Sequence, residues 1–180
     1  MLPEIFAKYL KVFPEDEPRL KLLAKQIDRQ EQLSGRTNYI GHITGSAVIF
    51  NPDKTKVLLI YHPLFDRWQQ PGGHWDDDEQ GPWLTAVRES IEETGVKLAD
   101  QIPNGDDKRV PFDIDSHVVP ASSAKKEPEH YHHDFKYAFI ASTEKLTLKD
   151  EVIKEARWVD SGEIKSADLM RAISHIKAYL

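Results

Sequence analysis

A chain of 180 residues with 39% hydrophobic content and a mean hydropathy of -0.56 suits one soluble globular domain with a real core. It contains no cysteine, which removes disulfides, thiolate metal sites and cysteine nucleophiles together. A formal charge of -6 argues against general affinity for nucleic acid, so an anionic substrate would need a cation to mediate its binding.

No stretch approaches the roughly 18 uninterrupted apolar residues of a membrane span, and the N-terminus lacks the basic-then-apolar pattern of a secretory signal. The expectation is a cytoplasmic protein without a membrane partner. From Leu2 to about Leu33, apolar residues at helical spacing (Ile5, Tyr9 and Phe13, then Leu20, Leu23 and Ile27) predict two helical pieces broken near Pro14 and Pro18. From Tyr39 the period changes. Gly45 to Phe50 and Lys56 to Tyr61 read as a strand pair around the turn-rich Asn51-Pro-Asp-Lys-Thr55. Trp68 reads as a core residue.

The segment Gly72-Gly-His-Trp-Asp-Asp-Asp-Glu-Gln-Gly-Pro-Trp-Leu-Thr-Ala-Val-Arg-Glu-Ser-Ile-Glu-Glu-Thr-Gly95 reads as loop, helix, stop. Pro82 suits a first helical turn and Gly95 a left-handed end, which predicts a helix over 82–94. At about 100° per residue, Leu84, Val87 and Ile91 form one apolar sector, with Glu89, Glu92 and Glu93 nearly opposite. Three such carboxylates repel one another unless a divalent cation is present, and hard oxygen ligands suit Mg2+ or Mn2+. Taken alone, the glutamates better suit a solvated face in which Arg88 and Glu92 form an ordinary i,i+4 pair, because acidic surface helices are common.

Residues 100–129 read as loops over a short strand near His117-Val-Val119. Tyr131, His133, Phe135, Tyr137 and Phe139 alternate with His132, Asp134, Lys136 and Ala138, which predicts a strand with two different faces. Ala156 to Val159 reads as another strand, and Ser166 to Tyr179 as a helix. Strands and helices mix without strict βαβ alternation, which favours an α+β architecture. The run His130-Tyr-His-His-Asp134 allows two readings. It can be a zinc site, because neutral imidazoles bind Zn2+ and His132 and Asp134 share a strand face, or a polar strand face bordering a pocket.

The glycine-to-glycine segment resembles the Nudix box: G, five residues, E, seven residues, R-E-U-x-E-E-x-G-U, with U a bulky aliphatic residue. Gly73, Glu79, Arg88, Glu89, Glu92, Glu93, Gly95 and Val96 occupy its fixed positions. Two departures stand out: eight residues rather than seven separate Glu79 from Arg88, and Ser90 replaces an aliphatic residue. The extra residue is expected to enlarge the Gln80-Gly81-Pro82 turn, which puts the position of Glu79 in question. Ser90 is expected on the helix flank with altered packing.

The resemblance covers roughly residues 40–165 and implies a Nudix-type α/β/α sandwich around a mixed β-sheet. Residues 1–38 would then be an N-terminal helical extension that caps the domain, makes a dimer contact or shapes the substrate pocket, and residues 39–180 the Nudix domain. It implies metal-dependent hydrolysis of a diphosphate linkage in a small nucleoside diphosphate derivative, by a monomer or homodimer. Glu89, Glu92, Glu93 and the Gly72 carbonyl are the implied ligands of Mg2+ or Mn2+, and Arg88 braces the carboxylates. Glu89 is the first choice for general base, with Glu127, Glu129, Glu151 and Glu155 as loop alternatives. His74, Trp75 and His132 are candidate substrate contacts. Two rival readings are an isopentenyl-diphosphate isomerase type, against which the lack of cysteine counts, and a non-catalytic Nudix-like nucleotide sensor, which would usually have lost box glutamates.

Overall fold

The computed structural model describes residues 1–63, 66–123, 126–148 and 152–180. The chain begins with α1 (Leu2–Val12), a 3-10 stretch (Pro14–Leu20) and α2 (Lys21–Asp28). The proline-bearing segment between the two expected helices thus keeps a tighter helical turn, because Pro14 and Pro18 cannot donate the backbone bonds of a continuous α-helix. β1 (Gly41–Phe50), β2 (Lys56–His62), β3 (Arg67–Gln69) and β4 (Gly72–His74) follow, then α3 (Pro82–Thr94) at the bounds its proline and glycine predict. The rest is β5 (Leu98–Ile102), β6 (Asp113–Val119), β7 (His130–Ala141), β8 (Ala156–Asp160) and α4 (Ala167–Ile176).

Two strands correct the reading of residues 100–129. β5 lies where a loop was expected, and it is a bulged edge strand whose register shifts between Leu98 and Asp100, which erases the alternation a sequence reading needs. β6 runs well beyond His117–Val119, because its upstream half, Asp113-Ile-Asp-Ser116, carries charges that are paired only in the folded sheet.

Among the described residues, eight strands form one mixed sheet in the order β3-β2-β1-β7-β5, with β4 beside β1, β6 beside β7 and β8 beside β2. β1 and β7 run parallel at its centre, with Gly41 opposite Tyr131 and Phe50 opposite Ile140. Successive residues of a strand face opposite sides, so the sheet has two faces with different contents. On one face, Ile43, Ala47, Ile49, Phe135, Tyr137 and Phe139 form a core with Tyr9, Phe13, Leu20, Leu23 and Ile27 of the N-terminal segment and Ala86 of α3. On the other, Val48, Phe50, Val57 and Ala138 meet Leu169, Ala172, Ile173 and Ile176 of α4. Helices therefore cover both sides of the sheet.

Trp68 is only partly buried. It lies at the margin of the α4 core with the Arg157 guanidinium 4.0 Å from its ring centroid, so the expected core position is met only in part. Among the described residues no helix is long and apolar enough to cross a membrane.

The α4 face of the sheet is not apolar throughout. Beyond Val48 and Ala138 it turns polar, through Ser46 and Lys136 to Thr44 and Asp134 and then His42 and His132. This gradient leads to the site.

Candidate active site and an adjoining histidine cluster

α3 starts at Pro82 after Gly81 and stops at Gly95, whose backbone is left-handed at φ 62° and ψ 19°. A side chain at Gly95 would both strain that conformation and meet the Thr147 carbonyl, which explains the glycine. Leu84 and Ile91 are exposed while Val87 packs partly buried against the core, so the expected apolar sector faces the core only at its middle member. The helix instead buries Thr85, Ala86, Ser90, Thr94 and Glu93. The physical reason is close packing on β1, which admits small side chains whose hydroxyls bond within the helix: Ser90 Oγ donates to the Ala86 carbonyl at 2.5 Å and Thr94 Oγ1 to the Ser90 carbonyl at 2.6 Å. Ser90 is therefore a fully buried contact residue, not a flank residue.

The three glutamates of α3 are graded from solvent to sheet. Glu92 is the most exposed at 56% of its side chain, Glu89 keeps 18%, and Glu93 is buried and accepts the Gly72 N–H at 3.0 Å. Arg88 binds four acids: Glu79 at 2.9 Å, Glu89 at 2.8 Å, Glu92 at 3.2 Å and Asp76 at 3.1 Å. It also donates to the His74 carbonyl at 3.2 Å, which ties the loop to the helix. Asp76 is a member of this group that sequence reasoning missed, since it occupies a variable position between Gly73 and Glu79.

Despite the additional residue, Glu79 reaches Arg88 and accepts Thr85 Oγ1 at 2.5 Å. The longer turn is taken up ahead of Pro82. Burial acts to raise the Glu79 pKa, but the hydrogen bonds from Arg88 and Thr85 outweigh it and hold the carboxyl below its ordinary range. Glu89 goes the other way: burial pushes it up, and the opposing pull of Arg88 is not enough to cancel that effect. One guanidinium facing four carboxylates leaves this corner of the protein strongly negative. An all-oxygen donor set with excess negative charge and a carboxyl reluctant to ionise fits a hard divalent cation.

Trp75 packs against the core and its indole N–H donates to the Glu79 carbonyl at 3.0 Å, so it braces the loop. Of the loop carboxylates, Glu129 and Glu155 are exposed, Glu127 is half-buried, and Glu151 lies outside the described residues.

Next to the box, on the polar part of the sheet, Asp134 accepts Thr44 Oγ1 at 3.0 Å, Ser46 Oγ at 2.8 Å and Gln70 Nε2 at 3.1 Å. Lys136, fully buried, lies 3.1 Å from Asp113 and 3.3 Å from Asp134, and these carboxylates keep it charged against the cost of burial. His132 does not share a ligand cluster with Asp134. Its ring instead meets those of His42 at 4.8 Å, His74 at 4.9 Å and His130 at 5.1 Å between centroids. His133 points to the opposite face, between Ser116 at 2.7 Å and Gln26 at 2.8 Å, and burial lowers its pKa to about 4. Parallel pairing of β1 with β7 brings His42 opposite His132, a register no local sequence signal announces.

A family model described as NUDIX domain matches residues 42–179, well over half of the chain. No curated protein matches it. Among solved structures, it is similar to a NUDIX family hydrolase from Clostridium perfringens, with 21% identity, a TM-score of 0.55, and 76% of this chain and 97% of that one covered. It is similar also to a C. elegans Ap4A hydrolase in a binary complex, with 16% identity, a TM-score of 0.54, and coverage of 76% and 96%. These likenesses support the sheet and helix arrangement, and the family match supplies the rest. With the box residues gathered around Arg88 at the end of β4 and along α3, the chain belongs to the NUDIX domain family and is a Nudix hydrolase.

Proposed function

We propose that this hydrolase cleaves the diphosphate linkage of a nucleoside diphosphate derivative with Mg2+ or Mn2+ held by Glu89, Glu92, Glu93 and the Gly72 carbonyl. The observation that carries this reading is the sharing of Arg88 among Asp76, Glu79, Glu89 and Glu92, beside the buried Glu93. That arrangement orients several carboxylates while leaving most of their charge unneutralised, which a merely structural ion-pair cluster has no reason to do.

When bound, the cation supplies charge neutralisation for the diphosphate and polarisation of the reacting water. Glu89, partly buried and held by Arg88 at 2.8 Å, would accept the proton of that water. Arg88 does not touch substrate; it positions Glu89 and Glu92 from the flank and is held in turn by Glu79. Glu93 accepts the Gly72 N–H and so sets the loop against the helix. The His74 carbonyl receives Arg88, which ties that residue to the box, whereas His132 lies in a histidine group on the other face of the sheet and Trp75 acts on the substrate through the loop it braces.

The test is a panel of ADP-ribose, sugar nucleotides, dinucleoside polyphosphates, NADH, coenzyme A and oxidised nucleoside triphosphates, assayed with and without Mg2+ or Mn2+. The fold likeness to an Ap4A hydrolase is a reason to keep dinucleoside polyphosphates on that panel. At least one member should be hydrolysed only with metal, and Glu89→Gln and Glu93→Gln should each lower kcat by about 100-fold or more, the scale of losing proton transfer or an oriented metal ligand. A folded protein inert across the panel, or a Glu93→Gln variant as active as the parent, overturns the reading.

A further inference from the structure

The histidines on the polar end of the sheet form a group separate from the box carboxylates. His42 comes from β1, His74 from β4, and His130 and His132 from β7. One ring nitrogen from each of His42, His130 and His132 can be chosen so that all three lie within 4.8 Å of one another. His42 is 1% exposed, yet its Nε2 has no hydrogen-bond partner. A buried polar atom without a partner carries a desolvation cost that folded proteins rarely leave standing.

The protonation pattern explains what Nε2 offers. His42 Nδ1 lies 3.2 Å from the Asn38 carbonyl and His130 Nδ1 lies 2.8 Å from the Pro128 carbonyl. A carbonyl only accepts, so in each ring Nδ1 carries the hydrogen and Nε2 presents a lone pair. Backbone carbonyls fixing the remote nitrogen are the usual support of a metal-bound imidazole. His130 Nε2 and His132 Nε2 face each other at 3.2 Å. Two nitrogens on a tetrahedral zinc, each about 2.0–2.1 Å from the ion, stand roughly 3.3 Å apart.

We propose that His42, His130 and His132 bind a borderline divalent transition ion of the Zn2+ type, in a second site distinct from the hard-ligand site of the box. Asp134 on the same strand face is committed to Thr44, Ser46 and Gln70, and the ligand atoms that converge are imidazole nitrogens. Such a set selects against Mg2+ and in favour of zinc, nickel or copper. His74 stands at the fourth side, its ring centroid 5.0 Å from that of His42 and 4.9 Å from that of His132. Because the His74 carbonyl also receives Arg88, an ion here would stiffen the loop that carries the box glycines.

The test uses the full chain, stripped of metal with a chelator and dialysed, then titrated calorimetrically with Zn2+ in excess Mg2+, with Co2+ as an optical probe. One equivalent of Zn2+ should bind without displacement by Mg2+, raise Tm, and be replaceable by Co2+ with the intense visible bands of a tetrahedral site. Glu89→Gln and Glu93→Gln should keep this binding. His42→Ala and His132→Gln should each weaken it by about 10-fold or more, the scale seen when metal-site groups are lost; circular dichroism shows which variants fold. His132 is only half-buried, so His132→Gln remains informative if His42→Ala does not fold. Absence of saturable Zn2+ binding by the folded parent, binding unchanged in His132→Gln, or binding lost in Glu93→Gln overturns the proposal.

Discussion

Gly73 leaves no room for a side chain, because a methyl group there would occupy the place of the Glu89 carboxylate. The obstacle is the far end of a flexible glutamate, so Gly73→Ala displaces Glu89 rather than the backbone. The expected outcome is a nearly unchanged Tm with kcat lowered by about 10- to 100-fold, since misplacing a reacting group by an ångström is worth that much. Thermal melting and steady-state kinetics on one preparation separate the two effects; a variant with parental kcat would show that Glu89 need not hold this position. The same scale explains Arg88. Its planar fork meets three box glutamates and Asp76 at once, which a lysine point charge cannot do.

At the scale of elements, α3 is an unusual core helix, since its buried stripe is Thr85, Ala86, Ser90 and Thr94 while Leu84 and Ile91 face out. Helix and sheet meet closely along β1, and the buried hydroxyls are satisfied by carbonyls one turn back. An aliphatic residue at position 90, as the family pattern has it, does not fit this packing. Ser90→Leu should cost about 1–3 kcal/mol of stability by overpacking, whereas Ser90→Ala should cost less than about 1. Urea unfolding of the two variants checks this, and a Ser90→Leu protein as stable as the parent would mean the helix can lift off β1 freely.

At the scale of the whole molecule, the N-terminal helices share one core with the sheet. Tyr9, Leu20 and Leu23 are fully buried against residues of β1 and β7. Polar contacts lock the same junction: Arg19 reaches Asp113 at 3.1 Å and Gln26 reaches the Gly41 carbonyl at 3.0 Å. We therefore propose that residues 1–38 are a structural layer of the domain rather than a removable extension. Leu23→Ala should lower unfolding free energy by about 2–5 kcal/mol through the cavity it leaves. All four tryptophans (Trp68, Trp75, Trp83 and Trp158) lie outside these helices, so tryptophan fluorescence reports the sheet and its surroundings while far-ultraviolet circular dichroism sums over every helix, including these two. The two probes should show one coincident transition; an early dichroism change with unaltered fluorescence would mean the helices detach on their own.

The bounds of α3, the gathering of acids on it and the strand character of β7 were legible from local sequence alone, because proline at the first turn, glycine at the last and a period of two are short-range requirements. Residues 82–94 could be read as a helix, but not which of its faces would be buried: a helical period marks an apolar stripe, and only close approach to β1 decides that small hydroxyl residues face inward. β5 escaped because a bulge breaks its alternation, and the charged half of β6 because its partners Arg19, Lys136 and Arg171 come from distant segments. The sequence by itself determined the box and the grouping of its carboxylates on α3. Only the tertiary structure decided that Asp76 joins Arg88, that Asp134 takes Thr44, Ser46 and Gln70 as partners, and that His42 and His74 meet His130 and His132. Those meetings depend on the parallel register of β1 with β7 and on β4 lying along β1, and strand pairing between distant segments leaves no mark in local sequence.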